Sequence, residues 1–340
     1  MIKYDNKYYD NIVNKYNYEL VDNLPKKNFD IDNKWYCSYN LKPFLDGIST
    51  NKKQLVIMGI GINGVPHIGT VSQMLKAIYL QKQGFNVQII LGDLDVYGAR
   101  AKSLKDINKL IIKYKKFLVK LGFDETKGKI RNQYDYPEII RTSFLLSSCI
   151  KDRDFEEIEE DINDLYKTER VYTGMDFNVK QSISLMLADF IHPGLIDGFD
   201  NVLIISGIDE HGYVWKADEI RKRMKINMTI SGLYSKMIRG LNDYPKMSKS
   251  IPNSNIDLSC TKAELKKILT YENSNYDNAE NSFVYQLMCY VSFYGEEKLS
   301  ELKKDCNDKN DKWKEDVENY INDLYKICKL WRRDNETKSK

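Results

Sequence analysis

Two short peptides constrain this chain more than any other feature of its sequence. The first, residues 66–70, reads PHIGT, and the second, residues 246–250, reads KMSKS. The first follows an apolar run and a glycine-rich turn and precedes a helical pattern. The second lies in a polar segment typical of a loop. Both contexts are suited to binding an anion.

The first peptide predicts a strand, a turn and a helix that approach a phosphate. Residues 55–58 (LVIM) form the strand-like run, and Gly59, Gly61 and Gly64 space the turn. A helical pattern begins behind Pro66, with its apolar residues on one side. Glycine lets the backbone come close to a phosphate, and the N–H groups and dipole of a helix N-terminus favour the anion. The alternative is a plain connection in which His67 only caps the helix.

The second peptide predicts a loop that closes on a ligand. Lys246 and Lys249 lie among serine, proline and asparagine residues, which are typical of loops. Such a loop can close two ammonium groups and two hydroxyls around pyrophosphate oxygens and then reopen. The alternative is a solvated lysine pair on the surface. Because both peptides occur, and in this order, we predict that they bind ATP together.

At these residues the chain resembles the class I aminoacyl-tRNA synthetases. Residues 66–70 are similar to their HIGH signature, with Thr70 in place of the last histidine, and residues 246–250 match their KMSKS signature unaltered. The resemblance is closest to the tryptophanyl and tyrosyl branch, and within it to the tryptophanyl enzymes. Residues 246–258 and 282–305 continue like the eukaryotic-type tryptophanyl sequences. The similarity extends from about residue 51 to residue 333.

The resemblance implies attack of an amino-acid carboxylate on the α-phosphorus of ATP, which gives an aminoacyl adenylate and pyrophosphate. It makes His67, Thr70, Lys246 and Lys249 the catalytic residues, which contact phosphates and neutralise the departing pyrophosphate. The implied ATP-binding residues leave room for the nucleotide, bind its ribose or belong to the loop: Gly59, Gly61, Gly69, Asp209, Met247, Ser248 and Ser250. Mg²⁺ is the implied cofactor, held by phosphate oxygens and water without a dedicated protein metal site.

Two further segments imply an amino-acid pocket. Residues 185–189 (LMLAD) resemble the helix that lines the side-chain pocket, with Met186 on its wall and Asp189 accepting from an indole N–H or a tyrosyl hydroxyl. The alternative for Asp189 is a solvent-facing position. Residues 207–210 (GIDE) resemble the Gly-x-Asp-Gln strand end of the branch, but Glu210 replaces the glutamine and is assigned to the substrate ammonium group. This change, the altered glycine turn and Thr70 are three departures from the family pattern. They leave open the alternative that the chain activates a different amino acid.

The predicted fold is α/β, a doubly wound parallel sheet of the Rossmann-like class I synthetase type with a C-terminal helical domain. We predict an N-terminal extension at 1–50, a nucleotide-binding catalytic domain at 51–258 with a helical insertion at about 136–200, and a helical domain at 259–340. The predicted elements are strands at 55–58, 87–91 and 201–206, helices at 71–84 and 104–121, and a loop at 92–95. The last strand carries Asp209 and Glu210 to the carboxyl edge of the sheet, where ligands bind.

Composition narrows the class of protein. No apolar run reaches the length of a membrane span, and residues 1–18 lack the apolar core of a secretion signal. Six cysteines without a Cys-x-x-Cys pair argue against zinc or a disulfide framework and favour the reducing cytoplasm. The net charge of +3 is too small to indicate whether the protein binds a polyanion. Binding of a nucleic acid would therefore depend on a local patch of basic residues. Residues 329–333 are one candidate for such a patch.

Two hypotheses of different class follow. In the preferred one, the chain is a homodimeric ligase that joins an amino acid, most closely tryptophan, to tRNA. In the other, the same site activates a different amino acid for ligation to a small amine or another acceptor, without tRNA. The C-terminal helical region, which reads the anticodon in the tRNA enzymes, favours the first. A non-catalytic descendant is disfavoured because both signatures keep their reactive side chains.

Overall fold

A computed structural model of the chain describes residues 6–23, 34–100, 103–158, 167–169 and 174–332. Its centre is a seven-stranded sheet. The strands are β1 (Glu19–Leu20), β2 (Cys37–Tyr39), β3 (Gln54–Gly61), β4 (Val87–Gly92), β5 (Gly128–Asn132), β6 (Asn201–Gly207) and β7 (Thr229–Ser235). They lie side by side in the order β1, β2, β7, β6, β3, β4, β5.

The five strands from β3 to β7 pair in parallel, and β1 and β2 extend the β7 edge as antiparallel strands. In chain order the parallel strands are arranged third, second, first, fourth, fifth, which is the doubly wound arrangement. The winding reverses between β3 and β6, and ligands bind at such a reversal, outside the carboxyl ends of the strands. The predicted fold class is confirmed.

Helices cover both faces of the sheet. They are α1 (Asn6–Tyr16), α2 (Lys42–Ser49), α3 (Ile68–Lys82), α4 (Asp93–Arg100), α5 (Leu104–Leu121), α6 (Pro137–Leu146), α7 (Asp152–Glu157), α8 (Phe177–Leu195), α9 (His211–Arg223), α10 (Lys262–Glu272), α11 (Phe283–Tyr290), α12 (Glu296–Asp308) and α13 (Asp311–Arg332). One apolar core joins α2, α3, α5 and the four C-terminal helices to one face. A second core joins α1, α6, α8 and α9 to the other face.

The elements nearest the first signature are close to their predicted positions. Strands β3, β4 and β6 are confirmed, and α5 has the predicted bounds. The side chain of Ser103 caps α5 by accepting from the Asp106 N–H, and Gly122, at a φ of 116°, ends it in the left-handed region. Helix α3 begins at Ile68, earlier than predicted, directly behind the signature histidine.

Other parts of the prediction are wrong or incomplete. Residues 92–95 were predicted as a loop, but β4 ends at Gly92 and α4 starts at Asp93 without a connection. Acidic residues such as Asp93 and Asp95 suit a turn, but they also stabilise the first turn of a helix through its dipole. Strands β5 and β7 were not predicted, because their sequences, GKIRN and TISGLYS, are rich in polar residues and glycine.

The terminal regions pack onto the sheet domain. In α13 the Trp331 ring lies edge-on to Tyr114 and Phe117 of α5, with centroid distances of 5.1 and 5.5 Å. Near the N-terminus, the Tyr9 hydroxyl of α1 accepts from the Met237 N–H at 3.3 Å, just behind β7. Among the described residues, no helix has the length and apolar character needed to cross a bilayer.

Candidate active site

A cavity of about 280 Å³ opens at the carboxyl ends of β3, β6 and β7, next to the N-terminus of α3. All predicted catalytic and ATP-binding residues line it, together with one predicted amino-acid-binding residue. They are Gly59, Gly61, His67, Gly69, Thr70, Asp209, Glu210, Lys246, Met247, Ser248, Lys249 and Ser250. The two signatures therefore meet at the reversal point of a doubly wound sheet.

His67 stands at the mouth of α3 as its N-cap residue, in an extended conformation. Gly69 makes room for the imidazole ring, because a Cβ at this position would lie 2.8 Å from His67 Cε1 and 2.9 Å from its Nδ1. The Nδ1 atom is buried and has no hydrogen-bond partner among the described residues. Burial, followed by the charges of Lys249 and Lys246, lowers the pKa of His67 to about 3. The ring is therefore neutral near pH 7.

Backbone pairing ties the first signature to the segment that follows the second. The Ile68 N–H donates to the Ile256 carbonyl at 2.9 Å, and the Leu258 N–H donates to the Pro66 carbonyl at 3.1 Å. His67 and Asp257 thereby form an antiparallel bridge. The segment that follows the second signature is consequently fixed beside the first signature.

The second signature is a turn held by polar side chains of the residues that follow it. The Ser248 N–H donates to the Ser254 hydroxyl at 3.1 Å, and the Asn255 side chain donates to the Ser248 carbonyl at 2.8 Å. Gly240 packs underneath, where a Cβ would lie 2.6 Å from the Lys246 carbonyl oxygen and 2.8 Å from that of Ser254. Only a glycine fits at this position without moving the loop.

Both signature lysines reach across to the sheet domain. Lys246 Nζ lies 2.5 Å from Asp209 Oδ2. Lys249 Nζ donates to the Gly61 carbonyl at 3.2 Å and to the Tyr114 hydroxyl at 3.0 Å. The Tyr114 hydroxyl in turn donates to the Gly64 carbonyl at 2.9 Å, so α5 holds the glycine turn and the loop lysine together.

The end of β6 presents the two carboxylates of the cavity. Asp209 and Glu210 lie in a single helical turn between β6 and α9. Gly207 lets the Asp209 side chain fold back, since a Cβ there would collide with Asp209 Oδ1. Against these two carboxylates the cavity wall carries four lysines, Lys76, Lys236, Lys246 and Lys249. The excess of positive charge suits a polyphosphate.

Two predicted pocket residues do not line this cavity. Met186 and Asp189 lie on α8, and Asp189 is only 2% exposed, so the alternative of a solvent-facing position is wrong. Asp189 Oδ1 is 2.7 Å from Arg131 Nη2, and Asp189 Oδ2 accepts from Gln133 Nε2 at 2.8 Å. Both partners belong to β5 or follow it directly, and β5 was missed in the sequence.

Sequence reasoning also missed the deep end of the cavity. Ser72, Gln73 and Lys76 continue the wall along α3, and Lys76 is 1% exposed with its Nζ 3.0 Å from the Ser72 hydroxyl. Aromatic rings from both terminal regions flank that ammonium. The Lys76 Nζ atom lies 5.6 Å from the centre of the Trp35 ring and 4.9 Å from the centre of the Tyr290 ring. The available signal was three polar residues at helical spacing in an otherwise apolar helix.

An acidic cluster outside the cavity is a structural network. Asp154, Glu157 and Glu219 lie close enough to share a cation, and the ammonium of Lys216 contacts all three. Arg223 adds a second positive charge 2.6 Å from Asp154. These contacts hold α7 against α9, and the protein's own cations neutralise the cluster.

Fold and cavity define a doubly wound α/β protein in which a lysine-bearing loop lies beside a histidine-capped helix. The family model for class I tRNA synthetases (W and Y) matches residues 49–330. The chain therefore belongs to this family, which comprises the tryptophan and tyrosine enzymes.

Individual relatives come from both branches. The chain is 26% identical to a tryptophan–tRNA ligase of Methanocaldococcus jannaschii over 77% of this chain and 73% of the relative. It is 23% identical to the cytoplasmic tyrosine–tRNA ligase of Saccharomyces cerevisiae over 72% of this chain and 61% of the relative. Among solved structures, a tryptophanyl-tRNA synthetase from Aeropyrum pernix aligns with a TM-score of 0.78, 17% identity and 96% coverage of both chains. That last similarity supports the fold alone.

Proposed function

We propose that this protein activates an amino acid with ATP and transfers it to tRNA. The observation that carries the proposal is the convergence of both signatures on one cavity with four lysines and two carboxylates. In the first step, a carboxylate oxygen of the amino acid bonds to the α-phosphorus of ATP, and the bond from that phosphorus to the β-phosphate oxygen breaks. In the second step, a ribose hydroxyl at the 3′ end of tRNA displaces AMP.

The residues act by positioning and by charge, which suffice for transfer at phosphorus. Neutral His67 donates from a ring N–H to a phosphate oxygen, and the Thr70 hydroxyl lies one helical turn inside the same mouth. Lys246 and Lys249 stabilise the charge that builds on pyrophosphate. Asp209 accepts from the ribose hydroxyls once Lys246 has turned from it to the phosphates.

Mg²⁺ fits this site as an ion carried by the nucleotide. Only Asp209 and Glu210 bring carboxylates to the described cavity wall, and Asp209 is paired with Lys246. Phosphate oxygens and water would therefore supply most ligands, which matches the preference of magnesium. When bound, the ion neutralises phosphate charge.

Tryptophan is the proposed amino acid, with tyrosine as the competing substrate. The family includes both enzymes, and the first two curated relatives are tryptophan ligases. Glu210 at the cavity wall binds the substrate ammonium group. Asp189 and Met186 support the side-chain pocket from α8.

We also infer a homodimer that works in the cytoplasm. Helix α6 exposes three apolar side chains, with 47% of Ile140, 80% of Phe144 and 52% of Leu145 accessible, and such a patch favours a protein interface. Sedimentation should detect a dimer that Phe144→Glu splits, while Ile112→Glu, at an exposed apolar residue of α5, should leave it intact. None of the six cysteines, all of which lie in described residues, forms a disulfide, which suits a reducing compartment.

The deciding experiment is ATP–pyrophosphate exchange over all protein-forming amino acids, followed by tRNA charging with the active one. We expect exchange with tryptophan or tyrosine and charging of the matching tRNA. Lys246→Ala is the negative control. Exchange without charging of any tRNA would instead point to a different acceptor, and no exchange at all would refute amino-acid activation.

A further inference from the structure

A buried polar cluster lies beside the cavity, at the carboxyl ends of β4 and β5 and under α8. Its acids are Asp93 and Asp95, which open α4, and Asp189 from α8. Its remaining members are Arg131 and Gln133. Three carboxylates thus share a single guanidinium, so the partners of each carboxylate oxygen decide what the cluster can still bind.

The protein supplies a partner to each oxygen of two of the three carboxylates, those of Asp93 and Asp189, although Asp189 Oδ1 has an ion pair and no hydrogen bond. Asp93 accepts from the Gln133 N–H at 2.7 Å and from the Asn132 side chain at 2.9 Å. Asp189 pairs with Arg131 through one oxygen and accepts from Gln133 through the other. These contacts fix the end of β5 to α4 and α8.

Asp95 is different. Its Oδ2 accepts from Gln133 Nε2 at 2.9 Å, but its Oδ1 is buried without a hydrogen-bond partner among the described residues. A buried acceptor left unpaired is costly and calls for an explanation such as a bound ligand. Burial and the facing carboxylates of Asp189 and Asp93 raise the pKa of Asp95, against the opposing charge of Arg131. A hydrogen-bond donor at Oδ1 would satisfy the unpaired oxygen, and a cationic donor would also offset the repulsion.

A row of glycines lies between the cavity and Asp95. Gly59 and Gly61 line the cavity and point to the same face of β3, and Gly61 pairs directly with Gly92 on β4. A Cβ on Gly92 would lie 2.8 Å from Asp95 Oδ2, whereas a Cβ on Gly59 would meet no atom within 4 Å. Asp95 therefore packs next to the cavity wall, with its Oδ2 on the side of Gly92.

We propose that Asp95 Oδ1 accepts a hydrogen bond from a donor on the side chain of the activated amino acid, such as an indole N–H, a phenolic O–H or an ammonium. This proposal rests on the proposed amino-acid activation. Asp189 is then a positioning residue that holds Arg131 and Gln133. In this proposal the hydrogen-bond acceptor for the substrate side chain is Asp95 on α4, in place of Asp189 on α8, which the sequence suggested.

The test compares substrates that differ only in the donor. Pyrophosphate exchange is measured for tryptophan against β-(3-benzothienyl)alanine, in which sulfur replaces the indole N–H, for tyrosine against phenylalanine, and for lysine against norleucine. For the active pair, the wild-type protein should favour the donor-bearing member by about 10- to 100-fold in kcat/KM, the range expected for a lost buried hydrogen bond.

The variants separate specificity from folding. Asp95→Asn is nearly isosteric and its amide oxygen can still accept from Gln133, so we expect a folded protein whose donor preference falls to within a few-fold, with exchange of the donor-free analogue retained. Asp95→Ser provides a second, smaller replacement. Asp93→Asn is the matched control, because this neighbouring carboxylate is used entirely by the protein. It should lower the melting temperature but leave the donor preference unchanged.

The outcomes distinguish two failures. If no amino acid supports exchange in the wild-type protein, the proposed function is wrong and the role of Asp95 falls with it. If exchange occurs but the donor-free analogue is used equally well, or if both folded Asp95 variants keep the wild-type preference, the proposal is overturned while amino-acid activation stands.

Discussion

The ammonium of Lys246 lies 2.5 Å from the Asp209 carboxylate, so a lysine of the second signature occupies the group assigned to the ribose. The two side chains are only 14% and 13% exposed, which shields the pair from solvent screening. In the proposed mechanism, nucleotide binding exchanges this contact for two others, ribose on Asp209 and phosphate on Lys246. The ion pair holds the second signature against the end of β6.

The first prediction concerns that lysine. Lys246→Ala should lower kcat for pyrophosphate exchange by about 100- to 1,000-fold, because the ammonium matters most when charge moves to pyrophosphate. The KM for the amino acid should change little, and steady-state kinetics with each substrate varied separately would separate the two effects. Lys266→Ala is the control, since Lys266 pairs with Glu318 in the C-terminal helices and does not line the cavity. Wild-type exchange by Lys246→Ala would contradict the assignment.

The second prediction concerns Gly240, the glycine beneath the loop. In Gly240→Ala the new Cβ would press on two loop carbonyls, of Lys246 and Ser254, so the loop must shift. We expect a loss of stability of about 1–3 kcal/mol, typical of overpacking, together with a fall in kcat. Gly295→Ala is the matched control, because a Cβ there meets no atom within 4 Å. Chemical unfolding and exchange kinetics on both variants provide the comparison, and equal behaviour of the two would exclude this role for Gly240.

The sequence was sufficient for features that depend on neighbouring residues. The glycine turn, the helix start behind His67 and the polar loop at 246–250 follow from local backbone preferences and local chemistry. Strand β6 was recognised because its apolar run is continuous, as expected for a strand buried on both faces. These elements alone bring the nucleotide-site residues to one edge of a sheet.

Features that depend on distant contacts could not be predicted in this way. Strand β5 is short and polar, and it is recognisable only once β4 is beside it. Without β5, the sequence gives no sign of Arg131 and Gln133 as the partners of Asp189. Tyr114 gave no local signal either, because it acts on Lys249, far away in the chain. The need for glycine at 240 depends on how the loop folds back, which places the carbonyls of Lys246 and Ser254 against it.

The third prediction concerns Tyr114, which holds Lys249 to the glycine turn. Tyr114→Phe removes the hydroxyl that accepts from Lys249 and donates to the Gly64 carbonyl, but keeps the ring packed against Trp331. We expect a loss of stability of about 1 kcal/mol and a modest fall in kcat, because the lysine keeps its contact with Gly61. Tyr320→Phe, in the C-terminal helices, should leave exchange unchanged. An identical kinetic effect of both variants would show that Tyr114 acts through stability alone.

The fourth prediction concerns the basic tail. Arg333 lies outside the described residues, but Arg332 donates to the Cys260 carbonyl at 2.7 Å and its guanidinium lies 5.1 Å from the centre of the Tyr325 ring. Arg332→Glu should therefore lower the melting temperature by loosening the end of α13, in addition to any effect on tRNA. Thermal unfolding without tRNA isolates that structural effect. An unchanged melting temperature with weaker tRNA binding would make Arg332 a direct contact.

The last prediction concerns the pH dependence contributed by His67. Its pKa is about 3 in the folded protein and near 6.5 in the unfolded chain, so between these values the unfolded state binds a proton that the folded state does not. The stability due to the neutral ring is complete above pH 6.5 and is lost as the pH falls towards 3, by up to about 1.4 kcal/mol per pH unit. His67→Gln should remove this slope and leave that of His211, whose pKa is also lowered by burial, in place. Urea unfolding of wild type and variant at about pH 7.5 and about pH 5 gives the difference, in which all other groups cancel. Equal pH dependence in both proteins would mean that His67 is protonated in the folded state and meets phosphate as a cation.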